Sequence, residues 1–481
     1  MRRAWMVVGV GTPIVAAIVI VAVSRGTLRA EGAHGELPSI SKLVGGTSAA
    51  HAPPPASLHG LDLTKITATD TVVSAPLPEK KVAHLTVDPT LQRVAEGVMK
   101  LHRVPEASVV LMDTQTGKIL VYASHQEKGP ARDLCVEATA PAASVFKIVT
   151  ASSLVEHVNA TPDQRECYSG GEQRIVEKDL VPDPKRDRWC TTLAGAMGRS
   201  LNTVFARLAL KHLKPATLEE TAKSLGFGAA LPFDVPVQVS AEHFPEDNLG
   251  FARTAAGFWN TTLSPLHAAW LSATIARGGE PVRPHVVGEI ADDGGKVMWI
   301  APSGLAQKRV MRQTTAAAVT TMMESTVTDG TSYRAFHDPK GSSFLPGVSV
   351  AGKTGTLTDP TSQRFYTWFT GFAPSKGAFI ADGDSPDIKP PRQVSIGVLV
   401  VNNPTWTVKA NVLAREVLRA YFASQKVPNV TTPSLREAPA KAASDDDAVP
   451  TVGSAPGTGR GDGKSQPSTT PGTKHRRHRG S

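Results

Sequence analysis

The chain has 481 residues, with 52 Lys+Arg against 43 Asp+Glu for a formal charge of +9, 41% apolar residues and three cysteines. The apolar fraction excludes a wholly disordered chain, and the length allows one large domain or two to three ordinary ones. Three cysteines without a CxxC pair exclude a disulfide-dense miniprotein, and with no HExxH or similar spacing among the histidines neither a metal nor a cofactor is expected.

Met1-Arg2-Arg3 opens the chain, followed by an uncharged run of 20 residues from Ala4 to Val23. At about 1.5 Å per residue this run spans roughly the 30 Å of a bilayer core. It exceeds the usual apolar length of a cleaved leader, so residues 1–3 read as a cytoplasmic stub and 4–23 as a single transmembrane signal anchor. Arg2 and Arg3 favour a cytoplasmic N-terminus, against which Arg25 and Arg29 weigh. Residues 24–83, rich in Ala, Pro, Ser and Thr and containing Pro53-Pro54-Pro55, read as a flexible linker. Residues 84–426 carry the periodicity of a folded domain. Residues 427–481 read as a disordered tail ending in Lys474, Arg476, Arg477 and Arg479.

Within the folded part, a helix is expected over Pro89–Leu101. Strands over Ala107–Asp113 and Lys118–Ala123, joined by a polar segment ending in Gly117, predict a hairpin. Helical patterns cover Ser144–Val158, Leu193–His212 and Ser264–Arg277. Strand patterns return at Val348–Lys353, Tyr366–Phe372 and Val394–Val401, and a last helix covers Val408–Ala423. The fold class is therefore α/β in the mixed α+β sense, an antiparallel sheet with a long helical middle.

Three short strings carry chemistry. In Ser144-Val145-Phe146-Lys147 a hydroxyl and an ammonium share one helix face, and a lysine whose pKa is depressed by burial is able to activate a serine. Ser200-Leu201-Asn202 breaks an apolar helical pattern, as a loop or cap between two helices also does. Lys353-Thr354-Gly355-Thr356 follows the strand ending at Gly352 and sets a cation beside two hydroxyls, with a glycine permitting close backbone approach. Singly each string is weak; a helix cap with a surface lysine, or a strand ending in a turn, accounts for them equally.

In this order the strings resemble the penicillin-binding protein transpeptidase domain, of the serine acyl-transferase and β-lactamase-like superfamily. Leu85-Thr86-Val87-Asp88-Pro89, Leu263-Ser264-Pro265-Leu266-His267-Ala268-Ala269 and Trp368-Phe369-Thr370-Gly371 are similar to further segments of that family, so the resemblance covers residues 84–426. It implies an antiparallel sheet flanked by helices plus an all-helical subdomain. It further implies Ser144 as nucleophile, Lys147 as its base, Ser200 and Lys353 as a proton path, Asn202 aligning the substrate, and Thr354, Gly355 and Thr356 binding it. The implied function is a membrane-anchored peptidoglycan D,D-transpeptidase in the bacterial cytoplasmic membrane, with its catalytic domain outside. Its partners would be D-Ala-D-Ala stem peptides, β-lactams as inhibitors and the cell-wall synthesis machinery. Rival readings are a D,D-carboxypeptidase, a β-lactamase, or a cell-wall sensor without turnover.

Some features depart from the family pattern. The linker leaves no room for the pedestal of class B proteins, Leu201 stands where a second serine is common, and Gly257-Phe258-Trp259 replaces a Gly/Gln-rich stretch. Cys167 and Cys190 flank a polar insertion and are expected to pair in an oxidising compartment, leaving Cys135 as a buried free thiol. Eight of the positive charges, on Arg2, Arg3, Arg25, Arg29, Lys474, Arg476, Arg477 and Arg479, lie outside the folded part. No nucleic-acid partner is expected; the tail suits anionic wall polymer or membrane.

Overall fold

The Val394–Asn402 strand is buried at every position, and it lies at the centre of a five-stranded antiparallel sheet. A computed structural model describes this sheet and the rest of the chain over residues 58–170, 174–359, 361–376, 392–403 and 405–435. On one side Val394–Asn402 pairs with Glu106–Asp113, which forms the expected hairpin with Ile119–Gln126. On the other it pairs with Arg364–Ala373, and that strand pairs with Ala351–Asp359, an edge strand. The expected transmembrane run at 4–23 lies outside the described residues. Among the described residues, no helix is long and apolar enough to cross a membrane.

Two helices cover one face of this sheet. Pro89–Leu101 starts where the Asp88 carboxylate accepts the N–H groups of Thr90 and Leu91, with Pro89 filling the first helical position. It buries Leu91, Val94, Ala95, Val98 and Met99, spaced to form one stripe, beside the Ala410–Ser424 helix. The Pro265–Ala276 helix packs on the opposite face. It is buried on nearly every side because it lies between two further core clusters, and so it shows no polar stripe. Gly397 of the central strand lies directly under it: a Cβ there would sit 2.2 Å from the Pro265 carbonyl oxygen.

The structure corrects the domain boundaries. Residues 58–83, expected to be linker, are folded. Thr67–Ala68, Val73–Pro76 and Val82–Leu85 form a second five-stranded sheet with Val287–Ala291 and Val297–Ile300. Leu58, Leu63, Val73, Ala75, Leu77 and Ala83 are buried in its core. At the other end, Val427 and Val430 pack into the core under the Ala410–Ser424 helix, so the fold continues past 426. The basic end of the tail lies outside the described residues.

The helical part contains Lys147–Val158, Leu193–Gly198, Asn202–His212, Pro215–Ser224, Asn248–Ala255 and Gln313–Thr328. It is interrupted by a small hairpin, Arg165–Tyr168 with Trp189–Thr192, across which Cys167 and Cys190 are disulfide-bonded. The Arg207 guanidinium, on the Asn202–His212 helix, holds the insertion from below through Asp187 at 2.6 Å and the carbonyl of Asp179 at 2.6 Å. Closing a loop of 23 residues' separation removes unfolded-state entropy worth about 3 kcal/mol. Changing both cysteines to serine should therefore lower the thermal midpoint by several degrees in differential scanning fluorimetry. An unchanged midpoint would show that Arg207 and Asp187 hold the insertion without the disulfide. Cys135 is buried and free, with its sulfur 3.1 Å from the Ser108 hydroxyl.

Candidate active site

Ser144 sits in a single 3-10 turn, Ala143–Phe146, that runs directly into the Lys147–Val158 helix. The turn is fixed from two sides. The Trp368 indole N–H of the central sheet donates to the Pro141 carbonyl at 2.8 Å. Gly257, at φ +85°, lies against the backbone just before Ser144, and a Cβ on it would sit 2.3 Å from the Ala143 carbonyl oxygen. That position is open only to glycine, since both the space and the left-handed backbone exclude a side chain. Ala143 itself has φ +49°, a local strain that this packing maintains.

Lys147, fully buried, reaches back to Ser144: its Nζ lies 2.8 Å from Ser144 Oγ. It also donates to Asn202 Oδ1 at 2.6 Å and to the Ala256 carbonyl at 2.6 Å. The last two partners only accept. A neutral amine donates twice and accepts once, so these contacts use both of its protons and aim its lone pair at the Ser144 hydroxyl. Burial, with the Lys353 cation as a second cause, pushes the Lys147 ammonium well below the usual lysine range. The Ala256 carbonyl is free for this role because it follows the last turn of the Asn248–Ala255 helix, where carbonyls lack helical partners.

The expected continuous helix over Leu193–His212 is broken at Ser200. Leu193–Gly198 ends in a Schellman turn, with Ser200 N–H donating to the Met197 carbonyl and Leu201 N–H to the Ala196 carbonyl. Ser200 takes the left-handed position, φ +60°, that such turns usually give to glycine. Leu201 is buried, supplying the apolar contact that accompanies this motif and accounting for an apolar residue there. Asn202 then begins the next helix, and Ser200 projects its hydroxyl to within 2.9 Å of Lys353 Nζ.

Lys353-Thr354-Gly355-Thr356 lies inside the edge strand Ala351–Asp359 rather than after a strand ending at Gly352. The register with Arg364–Ala373 runs without a break to Asp359↔Arg364, so Gly355 does not end the strand. Gly355 allows close approach to the turn that carries Ser144, where a Cβ would meet Ala143 Cβ at 3.2 Å. Lys353 Nζ donates to the Thr354 carbonyl at 2.8 Å, so that carbonyl faces away from the paired strand. Antiparallel alternation turns the Thr356 N–H to the same open edge. Burial brings the Lys353 ammonium down to about 7.

The structure thus holds Ser144, Lys147 and Asn202 in one hydrogen-bonded group and Ser200 with Lys353 in a second, the two lining a cleft with the Thr354–Thr356 edge along it. The Ala256 carbonyl, Gly257 and Thr331, which contacts Thr354 at 2.6 Å, complete its walls. Sequence reasoning marked Gly257 only as unusual and missed the other two. A backbone carbonyl leaves no trace in residue identity, and Thr331 lies in a turn without periodicity.

The family model described as penicillin binding protein transpeptidase domain matches residues 107–381. A peptidoglycan D,D-transpeptidase, PbpA, from Mycobacterium tuberculosis is 26% identical over 344 residues, covering 62% of this chain and 65% of that protein. This chain therefore spans somewhat less than two thirds of that relative's length. A crystal structure of a D,D-transpeptidase domain from Eggerthella lenta aligns with a TM-score of 0.57 at 23% identity, covering 71% of this chain and 83% of the other. The imipenem acyl-enzyme complex of penicillin-binding protein A from M. tuberculosis aligns with a TM-score of 0.55 at 22% identity, covering 70% and 78%. Both similarities are of fold.

Proposed function

We propose that this chain, which belongs to the penicillin-binding protein transpeptidase family, cross-links peptidoglycan stem peptides as a membrane-anchored D,D-transpeptidase with an acyl-serine intermediate. One observation carries the reading: the Lys147 amine sits 2.8 Å from Ser144 Oγ with its two other partners able only to accept. That is the arrangement of a serine with its own base in place.

In this reading the Ser144 proton passes to Lys147 as Oγ attacks the carbonyl carbon of the penultimate D-alanine. The negative charge on the carbonyl oxygen is met by the backbone N–H groups of Ser144 and Thr356, and such donors are worth about 3–4 kcal/mol each. Collapse breaks the C–N bond. The departing D-alanine nitrogen takes a proton from the Ser200 hydroxyl, which Lys353 replenishes. The terminal carboxylate rests against the Lys353 charge and the Thr354 and Thr356 hydroxyls. An amine of a second stem peptide then attacks the ester and gives up a proton through Ser200 to Lys353, while Ser144 Oγ leaves by taking back the proton held on Lys147, so that the new amide bond forms and both lysines return to their starting states. β-Lactams enter by the same attack. The apolar run at 4–23 supports a single-pass anchor in the bacterial cytoplasmic membrane, with this cleft on the outer side.

The test uses the full chain with fluorescent penicillin, followed by mass spectrometry of the labelled peptide and by incubation with a D-alanyl-D-alanine stem peptide plus an amine acceptor. The expected result is a stable adduct on Ser144, release of D-alanine and a ligated product. An adduct on another residue would overturn the nucleophile. A label lost within seconds identifies a β-lactamase, release of D-alanine without ligation a carboxypeptidase, and stable acylation without turnover a sensor.

A further inference from the structure

The Gly330–Thr331 turn touches both sides of the cleft at once. Thr331 donates its backbone N–H to the Gly198 carbonyl at 3.0 Å, and its hydroxyl oxygen lies 3.3 Å from the same carbonyl. That hydroxyl is also 2.6 Å from the Thr354 hydroxyl. Gly198 ends the helix whose terminal turn presents Ser200, while Thr354 follows Lys353 on the edge strand. The junction is packed to backbone contact. A Cβ on Gly330 would lie 2.2 Å from the Gly198 oxygen, and one on Gly198 would lie 2.8 Å from the Ser325 backbone. Ser332, buried next to the turn, donates its N–H to the Thr326 carbonyl at 2.8 Å and anchors it to the Gln313–Thr328 helix.

The protons at this junction can be counted. Thr331 is exposed, and within the protein its one hydroxyl proton has two neighbours in reach, a carbonyl that only accepts and a hydroxyl that does either. While Thr331 donates to Gly198, Thr354 can donate to Thr331, and the Thr354 proton then points away from the cleft. An anion beside Lys353 draws the Thr354 proton to itself, and the Thr331 proton can follow from the Gly198 carbonyl to the vacated Thr354 oxygen. The charged acceptor favours this exchange, and each hydroxyl in the chain polarises the next. A valine at 331 keeps the shape but supplies no proton.

We propose that Thr331 is a positioning residue for the carboxylate of the acyl donor. It orients the Thr354 hydroxyl toward the anion held by Lys353 and, through Gly198, ties the Ser200 turn to that strand. The inference rests on the transpeptidase reading above and goes beyond it in naming a residue outside the three motifs. The test compares acylation of Ser144 by benzylpenicillin and by its methyl ester in the full chain, with Thr331→Val and Thr331→Ser beside the wild type. Thr331→Val should slow benzylpenicillin by about 5- to 20-fold, as for loss of one hydrogen bond in a chain to a charged group. The loss should appear in binding rather than in the acylation step, the ester rate should be unchanged, and Thr331→Ser should restore the wild-type ratio. Equal losses with both compounds, or no loss with either, overturn the inference. A wild type that neither compound acylates overturns the transpeptidase reading itself.

Discussion

Replacing Lys147 with methionine should slow acylation of Ser144 by about 10²–10⁴-fold, the usual contribution of a positioned general base. The measurement is the second-order rate constant for labelling by fluorescent penicillin. Methionine keeps the length and apolar stem of the side chain in a site with no solvent exposure, so the neighbouring core should stay packed. What is lost is the lone pair beside Ser144 Oγ, together with donors to Asn202 and the Ala256 carbonyl. Each buried acceptor left unpaired costs about 1–3 kcal/mol of stability. A lower melting temperature is therefore compatible with the assignment, whereas the rate is decisive. A variant that acylates within tenfold of the wild type would show that another group takes the Ser144 proton.

How far the residues alone lead depends on whether a feature is local. Pro89–Leu101 is readable to its ends because its cap, its proline and its apolar stripe lie within one window. The hairpin of Glu106–Asp113 and Ile119–Gln126 is readable for the same reason. The strands between 67 and 85 are not. They have two to four residues each, and Val82–Leu85 finds its partner in Val287–Ala291, about two hundred positions away. No window around Pro76 or Pro78 shows that pairing, so Pro and Thr content prevailed and the stretch read as linker. Val427 and Val430 were lost to composition in the same way.

The cleft divides along the same line. Its five polar side chains are visible as short strings, yet their mutual distances depend on backbone features that the strings do not contain. Ser200 is presented by a left-handed turn in a stretch whose apolar pattern reads as unbroken helix. Lys353 lies mid-strand because pairing with Arg364–Ala373 continues past a glycine that reads as a stop. The third partner of Lys147 is a helix-end carbonyl with no side chain to mark it. Residue types thus indicate which chemistry is present, and chain reversals at Ser200, Gly257 and Gly330 decide whether it is assembled.

The pH dependence of acylation should be bell-shaped, because the two lysines work when the pair holds one proton. In the proposed mechanism Lys147 must be neutral to accept the Ser144 proton, and Lys353 must be charged to hold the carboxylate of the penicillin. Burial lowers both, and the charge of Lys353 lowers Lys147 further. On the acid side the rate constant should rise about tenfold per pH unit as the second proton leaves the pair. On the alkaline side it should fall about tenfold per unit as the last one leaves, with Lys353 brought to about 7 by burial. These limbs belong to the free protein and so appear in the second-order constant. Once a carboxylate is bound, its charge raises the Lys353 pKa, and at saturating penicillin the alkaline limb should move upward. Lys353→Arg provides the control. A guanidinium stays charged throughout this range, so the variant's profile should rise to a plateau and lose the alkaline limb, whatever its absolute rate. A wild-type profile that is flat across roughly pH 6 to 9, or a Lys353→Arg profile that keeps the alkaline limb, would remove Lys353 as the titrating cation.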